Sequence, residues 1–171
     1  TGRSIVTLEL PTDIINSAAF SPDSKWIVTT SRNDTARVWE ASTSRSIAML
    51  EGHTDNINSA TFSPDSKWIV TASRDKTAKV WEASTGRLIA TLKGHTRSVE
   101  SSSFSPDGQW IITTSEDKTA IAYPREIFAP IEEILDLVRK RNLRELTPEE
   151  RNIYLHEVQG QSVESASKSK Q

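Results

Sequence analysis

"FSPDSKWIVT" spans residues 20–29, returns letter for letter at 62–71, and comes back as "FSPDGQWIIT" at 104–113. The repetition sets a ruler. Trp26, Trp68 and Trp110 step by 42 residues, as do Phe20, Phe62 and Phe104. Trp39 and Trp81 keep the same interval with Tyr123 in the third slot, and "GHT" at 52–54 recurs at 94–96. A fixed period of this size marks a repeat architecture, in which one unit cannot bury its apolar face without a like neighbour.

Inside one period the pattern is that of strands. "INSATFS" (57–63) alternates, which predicts Ile57, Ser59 and Thr61 on one side and Asn58, Ala60 and Phe62 on the other. "SPDSK" (63–67) is a turn, with Pro64 presetting φ and Asp65 and Ser66 able to bond back to the backbone. "WIVTAS" (68–73), "TAKVWE" (77–82) and "RLIATL" (87–92) are β-branched or aromatic and separated by "RDK" and "ASTG". Four short antiparallel strands with no helix between them read as one propeller blade.

Composition narrows the rest. The 171 residues are 35% apolar and 26% charged with a net charge of −2, so no global field draws the chain to nucleic acid or an anionic membrane. The absence of cysteine removes disulfides, thiolate metal sites and cysteine nucleophiles, and suits a cytoplasmic setting. No phosphate loop, His-Glu-x-x-His or calcium-loop pattern is present, so neither a cofactor nor a metal is expected.

The unit "GHT…FSPDSKWIVTASRDKTAKVWEASTGRLIATLKGHT" resembles the WD-repeat β-propeller family. Gly52-His53 matches the family's Gly-His pair and Asp75 its turn aspartate, while the closing Trp-Asp reads Trp81-Glu82 here and Trp39-Glu40 one repeat earlier. The resemblance covers roughly residues 1–123. It implies an all-β fold: a partial propeller of three four-stranded antiparallel blades, with an orphan N-terminal strand and a short α-helical tail. The expected divisions are 1–10 (outer strand of a preceding or closing blade), 11–52, 53–94 and 95–126 (blades, the third without its outer strand), 127–159 (helical tail) and 160–171 (a disordered tail). In the tail, Ile131, Ile134, Leu135 and Val138 follow a helical period, and Thr147, Pro148 and Glu150 read as the start of a second helix.

The resemblance also implies a buried polar network tying each blade together, carried in the second repeat by His53, Thr71, Asp75 and Trp81. An indole N–H needs an acceptor, a threonine hydroxyl can accept and donate onward, and an imidazole can pass its other N–H to a carboxylate. Hydroxyl, histidine and aspartate also suggest a hydrolase triad. A nucleophile must face a cleft, however, and a set recurring from blade to blade is structural, so no catalytic residue is expected. The third repeat keeps His95, Thr113 and Asp117, but a phenol at Tyr123 is not expected to reach Thr113. The first repeat has Thr29 and Trp39 but Pro11 and Asn33 in place of histidine and aspartate, so it should lack the network and be softer by on the order of 2 kcal/mol.

The function expected from this reading is protein binding, by a scaffold or sensor module. Candidate partner contacts are the polar positions beside the network: Arg32, Asp55, Asn56, Asn58, Arg74, Arg97, Ser98, Glu100 and Glu116. Three blades leave two flanks uncovered, so the partners expected also include further blades from the same or a second chain. The favoured reading is the C-terminal three repeats and tail of a larger bacterial signalling protein. The alternative is a stand-alone chain that forms a six-bladed ring by pairing with itself.

Overall fold

A computed structural model describes Leu8 and residues 14–127; the expected strand at 1–10 and the helical and polar tail beyond Ile127 lie outside the described residues. The described part belongs to one compact unit, Thr1–Ala129. It holds eleven strands in three antiparallel sheets. β1 (Ile15–Phe20), β2 (Trp26–Ser31), β3 (Ala36–Glu40) and β4 (Ser46–Leu50) form the first, in sequence order. β5 (Ile57–Phe62), β6 (Trp68–Ser73), β7 (Ala78–Glu82) and β8 (Leu88–Leu92) form the second. β9 (Val99–Phe104), β10 (Trp110–Ser115) and β11 (Ala120–Pro124) form a three-stranded third, and Arg125–Ile127 makes one 3₁₀ turn. Among the described residues, no helix is long and apolar enough to cross a membrane.

The repeated phrase builds the same turn three times. Ser63 Oγ donates to Asp65 Oδ1 at 2.6 Å while accepting the Trp68 N–H at 2.9 Å, and Asp65 Oδ1 also takes the Lys67 N–H at 3.1 Å. Ser21 with Asp23, and Ser105 with Asp107, repeat this arrangement. Each serine–aspartate pair satisfies donors that a two-strand turn would otherwise leave open.

The strict alternation expected for 57–63 is broken. A bulge between Ile57 and Ser59 places Ile57 on the same buried side as Ala60 and Phe62, and equivalent irregularities occur at Ile15/Ser17 and Thr114/Ser115. The extra residue lets one strand bury three apolar side chains at one flank while the bulged asparagine turns toward the next blade.

Blades stack flank to flank. Val28, Ala36, Val38 and Leu50 of the first blade form one core with Ile57, Phe62, Ile69 and Trp81 of the second. Trp68, Val70, Val80 and Leu92 of the second form another with Ile111 and Tyr123 of the third. The driving force is therefore burial between sheets rather than within one, so no single blade has a core of its own.

Candidate functional site

In the second blade the expected network is complete. Trp81 Nε1–H donates to Thr71 Oγ1 at 2.9 Å, Thr71 Oγ1 lies 2.7 Å from His53 Nε2, and His53 Nδ1 lies 2.6 Å from Asp75 Oδ2. Asp75 also accepts the Thr54 N–H and clamps Thr77 through its hydroxyl and its N–H. The simplest proton order is indole to threonine, threonine to a neutral imidazole, and imidazole Nδ1–H to carboxylate. Every polar atom is then served, as burial requires. Burial holds the His53 ring below its ordinary pKa, against the opposing pull of Asp75. Burial alone would raise the Asp75 carboxyl, but the hydroxyl of Thr77 and the His53 ring outweigh it and hold it low. Thr71 is fully buried with its hydroxyl engaged on both sides, so it presents no nucleophile to a cleft.

These shifts fix the sign of a pH response. The folded chain binds fewer protons than the unfolded one at His53 below about 6.5, and at Asp75 and Asp117 below about 3.8. Stability is therefore expected to start falling as pH drops below 6.5 and to fall more steeply below 3.8. Urea midpoints measured from neutral to acid pH check this; a midpoint that rises between pH 7 and 5 would mean that the folded chain favours imidazolium.

The other blades keep parts of the network. In the third, His95 bonds Thr113 at 2.8 Å and Asp117 at 2.9 Å. The Tyr123 hydroxyl donates to the Lys93 carbonyl at 3.1 Å, and the Thr113 hydroxyl also interacts with the phenol, contrary to the expectation that Tyr123 stays clear of Thr113. The Thr119 hydroxyl, the Thr96 N–H and His95 hold the Asp117 carboxyl far below its ordinary value. In the first blade the expectation of no network needs correction. Trp39 still donates to Thr29 at 2.9 Å, because both residues lie within the sheet and neither needs the histidine for its placement. Asn33 also takes the Thr35 hydroxyl at 2.6 Å, which is the turn half of what Asp75 does. Pro11 lies outside the described residues.

All nine candidate contact residues gather at one end of the sheets. There the loop entering each inner strand is tied to the turn between the second and third strands. Arg32 N–H bonds the Ile14 carbonyl, Arg74 N–H that of Asn56 and Glu116 N–H that of Ser98, at 3.0–3.1 Å. On this repeated backbone the charges differ. Asp55 and Arg74 of the second blade occupy the same repeat positions as Arg97 and Glu116 of the third, with the signs exchanged. Arg97 and Glu116 neutralise each other at 2.9 Å. Asp55 caps only the neighbouring Asn56 N–H, and the exposed Arg74 has no ion-pair partner among the described residues. Arg32 reaches Asn16 at 3.3 Å, and Ser98 donates to Glu100 at 2.5 Å. Asn58 is half-buried, and its carboxamide donates to the Val99 carbonyl at 2.9 Å, Ser98 at 3.2 Å and Glu100 at 3.3 Å, across to the next blade. Asn16 does the same to Ile57 at 3.0 Å. These two asparagines are blade-to-blade ties. Their 42-residue spacing was visible in the sequence, but the bulge that turns them sideways was not.

The opposite end holds a groove that sequence reasoning missed. It encloses about 470 Å³ between the first two blades, lined by Trp26, Trp68, Lys25, Lys67 and the turn aspartates. The tryptophans read as strand aromatics, and nothing local marks them as a wall. Among the described residues no cluster of three or more histidine, aspartate or glutamate side chains is placed to hold a metal.

Comparison with known sequences agrees with this geometry. The family described as "WD domain, G-beta repeat" matches residues 2–40, 44–82 and 86–123, more than half of the chain. No curated protein matches it. Repeats of this family generally mediate protein–protein interaction. Matched in three successive repeats, and built as blades whose Trp-Thr-His-Asp network is complete in the second, the chain belongs to the WD-repeat family.

Proposed function

We propose that the chain is a protein-binding scaffold or sensor module, and that it reads its partner with the loop end carrying Asp55, Arg74, Arg97, Glu100 and Glu116. One observation carries this reading: the backbone of this end is the same from blade to blade, while the charge that Arg32 and Arg74 share at equivalent positions reverses at Glu116 of the third. A rigid frame with varied charge is what selective recognition needs, because mismatched partners then meet like charges. Arg74 and Asp55 are the strongest contributors, since neither is neutralised within the chain by an ion pair among the described residues. The engagement of the Thr71 hydroxyl by Trp81 and His53 supports a structural role for this network over a hydrolytic triad. The lack of cysteine and the near-verbatim repeats support a place in the cytoplasm of a bacterium, within a longer signalling array.

The test is selection of peptides from a displayed library against the immobilised chain, followed by affinity measurement on variants. Arg74→Glu is expected to weaken the selected peptides at least tenfold, about 1.4 kcal/mol, while Lys67→Ala at the far end leaves them unchanged. Peptides that bind Arg74→Glu and Asp55→Arg as well as the parent chain would place recognition elsewhere.

A further inference from the structure

The groove between the first two blades has a counterpart between the second and third, and the two differ sharply in size. The first encloses about 470 Å³ and the second about 60 Å³. They occupy the same place in the repeat. Asp65, Trp68, Asp107 and Gly108 line the narrow groove, and their counterparts one period earlier, Asp23, Trp26, Asp65 and Ser66, line the wide one. The narrow groove is also lined by Arg125. The Arg125 N–H bonds the Gln109 carbonyl at 2.9 Å, as the Ala83 N–H bonds that of Lys67 at 2.9 Å, so Arg125 stands where Ala83 stands one blade earlier. Its guanidinium Nη1 comes within 3.9 Å of where a Cβ on Gly108 would be. The third blade therefore fills its groove with an arginine side chain, while the second blade brings only a methyl group to the same position.

We infer that the wide groove takes the guanidinium of an arginine carried by a partner protein. The chain itself supplies the precedent at its second junction, with the same kinds of residue around the cation. A flat tryptophan and turn carboxylates suit a planar cation, which lies on aromatic faces and pairs with carboxylates. Asp23 and Asp65 stand at the wide groove as Asp65 and Asp107 stand at the narrow one, and Glu82 adds a third carboxylate where the third blade has Pro124. In Asp65 the turn engages Oδ1, and Oδ2 takes no hydrogen bond among the described residues. Lys25 and Lys67 also line the wide groove; both are exposed, and Lys25 lies 3.5 Å from Asp23. Three carboxylates against two ammonium groups leave the groove acidic on balance. This contact lies at the opposite end of the sheets from Asp55 and Arg74 and does not depend on the loop-end reading.

The probe is a blocked tripeptide with one central arginine, titrated into the isotope-labelled full chain and followed by two-dimensional NMR. The indole signals of Trp26 and Trp68 are expected to move, while those of Trp39 and Trp81, held on Thr29 and Thr71, stay in place. The same peptide with citrulline keeps the shape and loses the charge, and is expected to bind at least about tenfold more weakly. The lysine peptide, which lacks the planar fork, is expected to bind several-fold more weakly. Arg125→Ala is the decisive variant, because it is expected to open the second groove. The arginine peptide should leave the Asp107 and Gly108 signals of the parent chain in place and move them in the variant. Arg125 is only half-buried and follows the last strand, so its truncation is compatible with folding, and the three peptides on the parent chain decide the inference without it. Citrulline or lysine peptides that bind as well as arginine, an arginine peptide that leaves Trp26 unmoved, or a folded Arg125→Ala chain with no new shifts at Asp107 and Gly108 would each overturn it.

Discussion

Replacing Trp81 with alanine is expected to lower the unfolding free energy by about 3–5 kcal/mol, the range for removing a large buried aromatic. Trp81 is fully buried in the core between the first and second blades and is the donor that starts the polar network. Its loss opens a cavity at a junction and leaves the Thr71 hydroxyl with an unused acceptor position. Against a typical domain stability of about 5–15 kcal/mol the chain should be largely unfolded at modest temperature. Trp81→Phe is expected to cost less, about 2 kcal/mol: it keeps one aromatic ring in the core but removes the N–H together with part of the indole's volume. Urea unfolding followed by far-ultraviolet circular dichroism reads both. Trp39→Phe should cost less than Trp81→Phe, because the Thr29 hydroxyl it serves has no histidine behind it among the described residues. Equal costs would show that the histidine and aspartate add nothing to the indole bond.

The second large effect is expected at Gly86. It ends the turn between β7 and β8 with φ +74°, a conformation that side-chain-bearing residues adopt at a cost. A Cβ there would stand 2.8 Å from the Met49 carbonyl oxygen and 3.1 Å from the Ala48 side chain, both on β4 of the preceding blade. Gly86→Val combines a β-branched residue in the left-handed region with overpacking at a blade junction, and about 3 kcal/mol of destabilisation is expected. Gly108 has a similar φ of +69°, but its nearest neighbour to a Cβ is 3.7 Å away, so Gly108→Ala should cost only about 1 kcal/mol. Ser44, the counterpart of Gly86 in the first blade, already holds φ 60° with a side chain. The local backbone therefore tolerates a Cβ, and the requirement for glycine at 86 comes from the neighbouring blade. If Gly86→Val and Gly108→Ala melt together, the close approach to β4 is not what constrains that turn.

The two ends of the molecule differ in how much a sequence could say about them. The serine–aspartate turns were readable because their chemistry is local: a hydroxyl, a carboxylate and the N–H groups they cap lie within five residues. The network was readable residue by residue only through the family resemblance, since His53 and Asp75 are 22 positions apart and nothing local brings them together. Arg74 and Arg97 looked alike as exposed arginines beside a network. They differ because Glu116 pairs with Arg97, while Asp55 turns to its own neighbour's N–H.

The 42-residue period determined the strand order, the turns, the antiparallel sheets and the need for like neighbours, because all of these follow from hydrophobic pattern and turn chemistry repeated in register. Only the tertiary structure decided which side of each strand is buried, through the bulge at Ile57/Ser59 that no alternation rule foresees. It alone made Asn16 and Asn58 ties between blades, and it alone made Phe20 and Trp110 open where their copies are covered. The physical reason is common to all three. Identical sequence specifies identical local structure, but burial belongs to the contact between blades, and a residue's role changes with whether a neighbour stands beside it.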